Sequence, residues 1–231
     1  MFSKITLITG GSRGIGKKII NELLIQNHKI INLSRKDCDI KNENLLNINL
    51  DINDKNTYNI VTDITKKYKI DNFIHNAGIM DDVFFHKMKY NQWNDVINTN
   101  YVCLYNLLNP IVNQMRENNN GNIILISSIN ANTGSIGQTN YSSSKSALFG
   151  FTKSLSLENA NKNILINCIC PGYIKTEMTD KIKPEILKNI IEKIPLKKLG
   201  TVEDISSIIK YLLNDNKYMT GSIININGGL Y

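Results

Sequence analysis

A short apolar run, Ile5-Thr6-Leu7-Ile8, leads straight into Thr9-Gly10-Gly11-Ser12-Arg13-Gly14-Ile15-Gly16. A stretch with helical apolar spacing follows, carried by Ile15, Ile19, Ile20, Leu23 and Leu24. Strand, glycine turn and helix in that order form one half of a nucleotide-binding βαβ unit. Glycine lets the backbone approach a pyrophosphate, and the helix start supplies free N–H groups and a positive dipole end. The spacing is GxxxGxG, with Gly10, Gly14 and Gly16 at its fixed points. The same turn could also be simple punctuation between two buried elements, so the rest of the chain must decide.

That remainder keeps alternating. Lys29–Leu33, Leu45–Leu50, Ile70–His75, Ile123–Ile126, Ile164–Cys170 and Ser222–Ile226 read as further strands. Helical patterns at Asn53–Lys69, Trp93–Asn113, Tyr141–Asn159 and Val202–Leu213 separate most of them. Lys36–Asn44 is polar and lacks periodicity, so a full crossover helix is not expected there. The expectation is an α/β fold, a single-domain Rossmann-type doubly wound parallel sheet of about seven strands with helices on both faces. No linker divides residues 1–231. A lysine-rich excursion at 173–199 is long enough to be a substrate lid.

Composition narrows the class. Hydrophobic residues make up 42% and charged residues 20% of the chain, a globular balance. No apolar run approaches the roughly 20 residues needed to span a bilayer, and the opening Met1-Phe2-Ser3-Lys4 leaves no room for a signal peptide. Cys38, Cys103, Cys168 and Cys170 have no CxxC or histidine partner at metal spacing, so reduced structural thiols and no metal site are expected. A cytoplasmic protein, or the mature form of an organellar one, fits this usage. The net charge of +7 suits an anionic ligand or follows simply from heavy lysine use. The lysines are dispersed with no basic-aromatic stripe, which argues against nucleic acid.

The second strand ends in Ser34-Arg35 where an acidic residue would hold the ribose 2′-hydroxyl of NAD. Serine and arginine there, with Arg13 inside the glycine turn, favour the 2′-phosphate of NADP. Asp51-Ile52 after the third strand is a candidate adenine pocket, and Asn76-Ala77-Gly78 closes the fourth strand with small residues. Asn100 sits in an apolar-periodic helix and is either a structural pin or part of a proton relay. Tyr141 and Lys145 lie four apart on one helix face. A free phenol has a pKa of about 10, and an adjacent ammonium is expected to lower it and ready it for proton transfer at a carbonyl oxygen. His75 is given no role.

Thr9-Gly10-xxx-Gly14-Ile15-Gly16, Asn76-Ala77-Gly78, Asn100, Ser128, Tyr141-xxx-Lys145 and Pro171-Gly172 resemble, in order and spacing, the short-chain dehydrogenase/reductase family over nearly the whole chain. The resemblance implies hydride transfer between NADP(H) and a carbonyl. It makes Tyr141 the general acid, Ser128 the oxyanion donor, Lys145 the partner of tyrosine and ribose, and Asn100 the anchor of a relay water. It carries Gly10, Ser12, Arg13, Asp51, Ile52, Asn76, Ile174 and Thr176 to cofactor contacts. Within the family the likeness is greatest to reductases of 3-oxoacyl thioesters, on Gly137–Ser142, Pro171–Met178 and Asn227–Tyr231. The implied substrate is a thioester on acidic acyl carrier protein in fatty-acid synthesis, with acetoacetyl-CoA or another small carbonyl as alternatives. Docking positions that are basic in carrier-using relatives are Asn119 and Asn122 here, while Lys162 keeps a third. The resemblance also implies a homotetramer built through the two long helices and the C-terminal strand.

Overall fold

The computed structural model describes residues 4–177 and 179–230, with the side chain of residue 181 left aside. Met1, Phe2 and Ser3 of the expected start, Met178 of the excursion and Tyr231 of the terminal turn lie outside the described residues. The strands are β1 Ile5–Thr9, β2 Lys29–Ser34, β3 Leu45–Asn49, β4 Asn72–His75, β5 Gly121–Ile126, β6 Ile164–Pro171 and β7 Ile223–Ile226. The helices are α1 Gly14–Ile25, α2 Thr57–Lys67, α3 Tyr90–Ile97, α4 Leu104–Asn118, α5 Asn130–Thr133, α6 Thr139–Asn159, α7 Pro184–Lys193 and α8 Val202–Asn214.

All seven strands form one sheet in the order β3-β2-β1-β4-β5-β6-β7, and every neighbouring pair is parallel. Alternate strand residues serve opposite faces. Leu7, Phe73, Ile123, Leu125 and Cys168 pack with α2, α4 and α6 on one side. Ile8, Ile74, Ile124, Ile126 and Ile169 pack with α1 and α8 on the other. Burial on both faces explains why the strands read as continuous apolar runs rather than alternating ones. Chain direction across the sheet reverses between β1 and β4, and ligands of such sheets bind in the crevice at that point, beyond the strands' carboxyl ends.

Two elements differ from the sequence expectation. The helix expected over Trp93–Asn113 is broken: α3 ends at Ile97, a five-residue π turn spans Asn98–Val102, and α4 then continues through Pro110. The Cys103 amide donates to Asn98 O at 3.0 Å, one residue beyond the α spacing. The reason lies in Asn100, whose side chain is pulled inward by bonds to another loop. The second difference is β4, which starts at Asn72 and not Ile70, because Ile70 N donates to the Gln114 side chain and not to a strand. The β2–β3 connection has no helix, as its polarity implied. Asn32 and Asn47 hold it instead, through Asn32 Nδ2 to Asn47 Oδ1 at 2.8 Å and Asn47 Nδ2 to Cys38 O at 3.1 Å. Cys38, Cys103, Cys168 and Cys170 are buried free thiols. Among the described residues no helix is long and apolar enough to cross a membrane.

Candidate active site

The glycine turn lies at the β1/β4 switch point. Gly10 has φ +70°, a left-handed conformation that glycine adopts without penalty. A Cβ on it would lie 2.8 Å from Ala77 Cα, so the turn sits directly against the end of β4. Asn76 Nδ2 ties the two together by donating to Gly10 O at 2.8 Å. Gly16 is buried beneath, where a Cβ would collide with Gly10 O and Asn76 Nδ2. Helix α1 starts after Arg13 with no side-chain cap and no acidic residue in its first turn. Its free N–H groups and dipole therefore face the crevice without an internal acceptor, an environment for a phosphate. Ser12 and Ile15 are half-buried around this turn.

The candidate 2′-phosphate residues divide. Arg35 is exposed, and Arg13 is exposed and 3.9 Å from the Glu177 carboxylate. Ser34 is different. Its hydroxyl donates to Lys36 O at 2.5 Å and accepts from Asn32 Nδ2 at 3.0 Å, so its side chain shapes the β2 exit. Asp51 is exposed and accepts from Asn53 N, while the Ile52 side chain is buried in the core. Any adenine contact by Ile52 would have to come from its main chain. Across the crevice, Gly172 packs on Asn227, with a Cβ at residue 172 lying 2.7 Å from Asn227 Cα, and Pro171 O accepts from Ile129 N. Ile174 is buried and bridges to Gly200, closing the base of the 173–199 excursion. The Thr176 methyl would meet a Cβ on Gly14 at 3.7 Å, which places Thr176 over the glycine turn.

Lys145 and Asn100 converge beside Gly78, and Ser128 lies close to Tyr141, one turn before Lys145 on α6. Ser128 Oγ accepts from Asn130 N at 3.2 Å and its hydroxyl lies near enough to Tyr141 to favour the phenolate, while the neighbouring Ser127 donates to Lys145 O at 2.8 Å. Ser127 is thus committed to holding α6, which leaves Ser128 as the serine open to a substrate. A Cβ on Gly78 would sit 3.2 Å from both Lys145 Nζ and Asn100 Oδ1. Only a residue without a side chain keeps that space clear.

The electrostatics correct one expectation. Lys145 does not bring the tyrosine down. Burial raises the Tyr141 phenol above 10, the Ser128 hydroxyl opposes this, and the Asp82 carboxylate adds to the rise. The Lys145 ammonium lies 6.0 Å from the Tyr141 ring centroid and donates to Ile126 O at 2.8 Å. Burial brings its own pKa down to about 8. The physical reason is that one helical turn puts two side chains on one face without making their polar ends touch.

Asn100 resolves an alternative. It is fully buried, with Nδ2 donating to Ile79 O at 3.0 Å and Ser144 Oγ at 2.9 Å, and Oδ1 accepting from Ile79 N at 2.8 Å. The side chain is a pin between α4, α6 and the loop after β4. Any part in a relay falls to its main chain.

The structure adds residues that sequence reasoning missed. Gln138 Nε2 donates to Asp82 Oδ2 at 2.8 Å, and Asn130 Nδ2 donates to Gln138 Oε1 at 2.7 Å. Asp82 also faces Tyr173 and, with burial, raises that phenol. Asp82, held by Gln138 and through it linked to Asn130, therefore acts on both the Tyr141 and Tyr173 phenols. A carboxylate just past a small-residue strand end was the available signal. Two surface grooves lie elsewhere, one of about 540 Å³ between α2 and α4 and one of about 420 Å³ at the amino-terminal sheet edge.

Comparison with known proteins agrees with this geometry. The family model described as short chain dehydrogenase matches residues 4–187. A 3-oxoacyl-[acyl-carrier-protein] reductase FabG of Buchnera aphidicola subsp. Baizongia pistaciae is 42% identical, over 99% of this chain and 97% of its own. An acetoacetyl-CoA reductase of Acinetobacter sp. is 36% identical, over 99% and 98%. The solved structure of ElxO with NADP bound superposes with a TM-score of 0.92 at 33% identity, covering 99% of both chains. With the glycine turn, the parallel sheet and the Ser128-Tyr141-Lys145 group in one place, the chain belongs to the short-chain dehydrogenase/reductase family, as an oxidoreductase.

Proposed function

We propose that the protein reduces a 3-oxoacyl thioester to the 3-hydroxyacyl thioester with NADPH, most directly as a 3-oxoacyl-[acyl-carrier-protein] reductase. The observation that carries this reading is the nearness of the Ser128 hydroxyl to the Tyr141 phenol, one helical turn from the buried Lys145. The uncapped start of α1 and the cradle at Gly10 and Gly16 fit a dinucleotide pyrophosphate, with the exposed Arg35, and Arg13 once it leaves Glu177, to meet a 2′-phosphate. NADPH, when bound, supplies the hydride. Ser128 donates to the carbonyl oxygen and stabilises negative charge as it develops. Tyr141 then gives that oxygen its proton. Its raised pKa keeps the phenol protonated at neutral pH, which suits the reductive direction. Lys145 replenishes the proton and holds the ribose edge.

The excursion at 173–199 acts as a lid. Helix α7 within it has no buried residue, so a substrate can displace it at little packing cost. The substrate is read on relatives of both kinds, one named for carrier-protein thioesters and one for acetoacetyl-CoA. The test compares rates with acetoacetyl carrier protein and acetoacetyl-CoA, each with NADPH and NADH, followed by the absorbance of reduced cofactor. Faster turnover of the carrier thioester with NADPH is expected. Preference for the CoA thioester would move the assignment to acetoacetyl-CoA reductase, and no turnover of either would leave some other small carbonyl as substrate.

The homotetramer belongs to the same proposal. Val102, Tyr105 and Leu157 are exposed apolar side chains on the outer sides of the π turn, α4 and α6. Pairing through these helices would cover them. Light scattering should return four times the 26.2 kDa chain mass; a monomer at micromolar concentration would refute the tetramer.

A further inference from the structure

We propose that His75 is a positioning residue of the proton path, its Nε2–H holding an internal water between the Asn100 main chain and the Lys145 ammonium. The proposal deepens the reductase reading and rests on it. His75 ends β4 directly before Asn76-Ala77-Gly78 and is completely buried.

Its tautomer follows from counting bonds. Thr9 Oγ1 accepts from Asn76 N at 3.2 Å and from Ala77 N at 3.1 Å. It also lies 3.0 Å from His75 Nδ1. A hydroxyl has two lone pairs and one proton. Both lone pairs are taken, so Thr9 must donate its proton to Nδ1. Nδ1 is then the acceptor, and the ring proton sits on Nε2. Burial and the nearby Lys145 charge keep the ring neutral, with its pKa lowered to about 3.

That leaves Nε2–H as a buried donor, and no protein atom pairs with it among the described residues. Buried polar groups of this kind are usually matched by an internal water with several partners. The surroundings offer them. The ring lies near the Asn100 main chain but outside hydrogen-bonding geometry with it, and near the Lys145 charge. Asn100 lies in the π turn, where the offset ladder leaves carbonyls with spare acceptor capacity. Its side chain is already engaged with Ile79 and Ser144. A water here can accept from His75 Nε2–H, donate to the Asn100 carbonyl and accept from Lys145. The other groups facing Lys145 are Cys103 at the start of α4, Cys168 and Cys170 on β6, and Tyr141 on its own helix.

Two experiments test this. The first is NMR of the whole protein with ¹⁵N-labelled histidine. His75 should appear as the neutral Nε2–H tautomer and should not titrate around neutrality; an Nδ1–H tautomer would overturn the proposal. The second compares His75→Phe with His75→Asn. The phenylalanine variant should lose roughly tenfold in kcat, a fraction of what positioned proton transfer supplies. Its alkaline limb should move to lower pH, because the Lys145 ammonium loses a solvating water, while NADPH affinity stays unchanged. The asparagine variant, with its own N–H donor, should restore most of kcat and the pH profile. A phenylalanine variant with the parent's kcat and pH profile would overturn the role. A parent that turns over no carbonyl substrate would count against the reductase reading, and the tautomer would then decide the inference alone.

Discussion

Tyr141→Phe should lower turnover by roughly a thousandfold, within the range expected for removing a positioned general acid. The variant should leave NADPH binding and thermal stability near the parent's. The side chain is half-buried and its ring packs on α6 whether or not it carries oxygen. What is lost is the hydroxyl that lies near Ser128. Burial and Asp82 hold that phenol above its ordinary value of 10. It is therefore protonated throughout the neutral range, and its proton is available to a carbonyl oxygen. Steady-state kinetics and a fluorescence titration with NADPH separate the two effects. A variant that keeps its turnover would remove Tyr141 from the acid role, and one that loses NADPH binding as well would make it a structural residue.

The second large effect has opposite signs in activity and stability. Lys145→Met should abolish measurable reduction and make the protein more stable by about 1–3 kcal/mol below pH 8, since a buried charge without a carboxylate partner is replaced by an apolar chain of similar length. The ammonium is 3% exposed, and burial brings its pKa from 10.5 down to about 8. The unfolded chain thus holds more protons between those two values. The parent's stability rises with pH across that window and is lost again as pH falls through about 8. The variant should lack this slope. The lost bond from Nζ to Ile126 O offsets part of the gain, because that carbonyl loses its donor. Thermal melts from pH 7 to 10 provide the check. A variant less stable than the parent at pH 7 would show that the hydrogen bond outweighs the desolvation.

Much of the fold was legible because its determinants are local. Ile5-Thr6-Leu7-Ile8 is apolar on both faces, as a strand covered on both sides must be. Gly10 is needed for its positive φ and Gly16 for close packing, and both constraints show in residue type alone. The polar Lys36–Asn44 stretch announced its missing helix. The broken helix around Asn100 was not legible. Its π turn follows from an asparagine bonded to Ile79, 21 residues away, and apolar periodicity carries no trace of that bond. Which of the adjacent Ser127 and Ser128 keeps a hydroxyl available is a tertiary matter: Ser127 is committed to Lys145 O across 18 residues.

By itself, then, the amino-acid order determined the βα alternation, the nucleotide turn and which polar residues would gather at the carboxyl edge of the sheet. These depend on backbone sterics and on apolar spacing over a few residues. Only the folded chain decided how the polar ends are engaged. It gave the Lys145 ammonium a carbonyl partner, made the Asn100 amide a pin, bonded Gln138 to Asp82, and left His75 with a buried donor. Hydrogen bonds act over about 3 Å, and partners at that range come from strands and helices far apart in sequence.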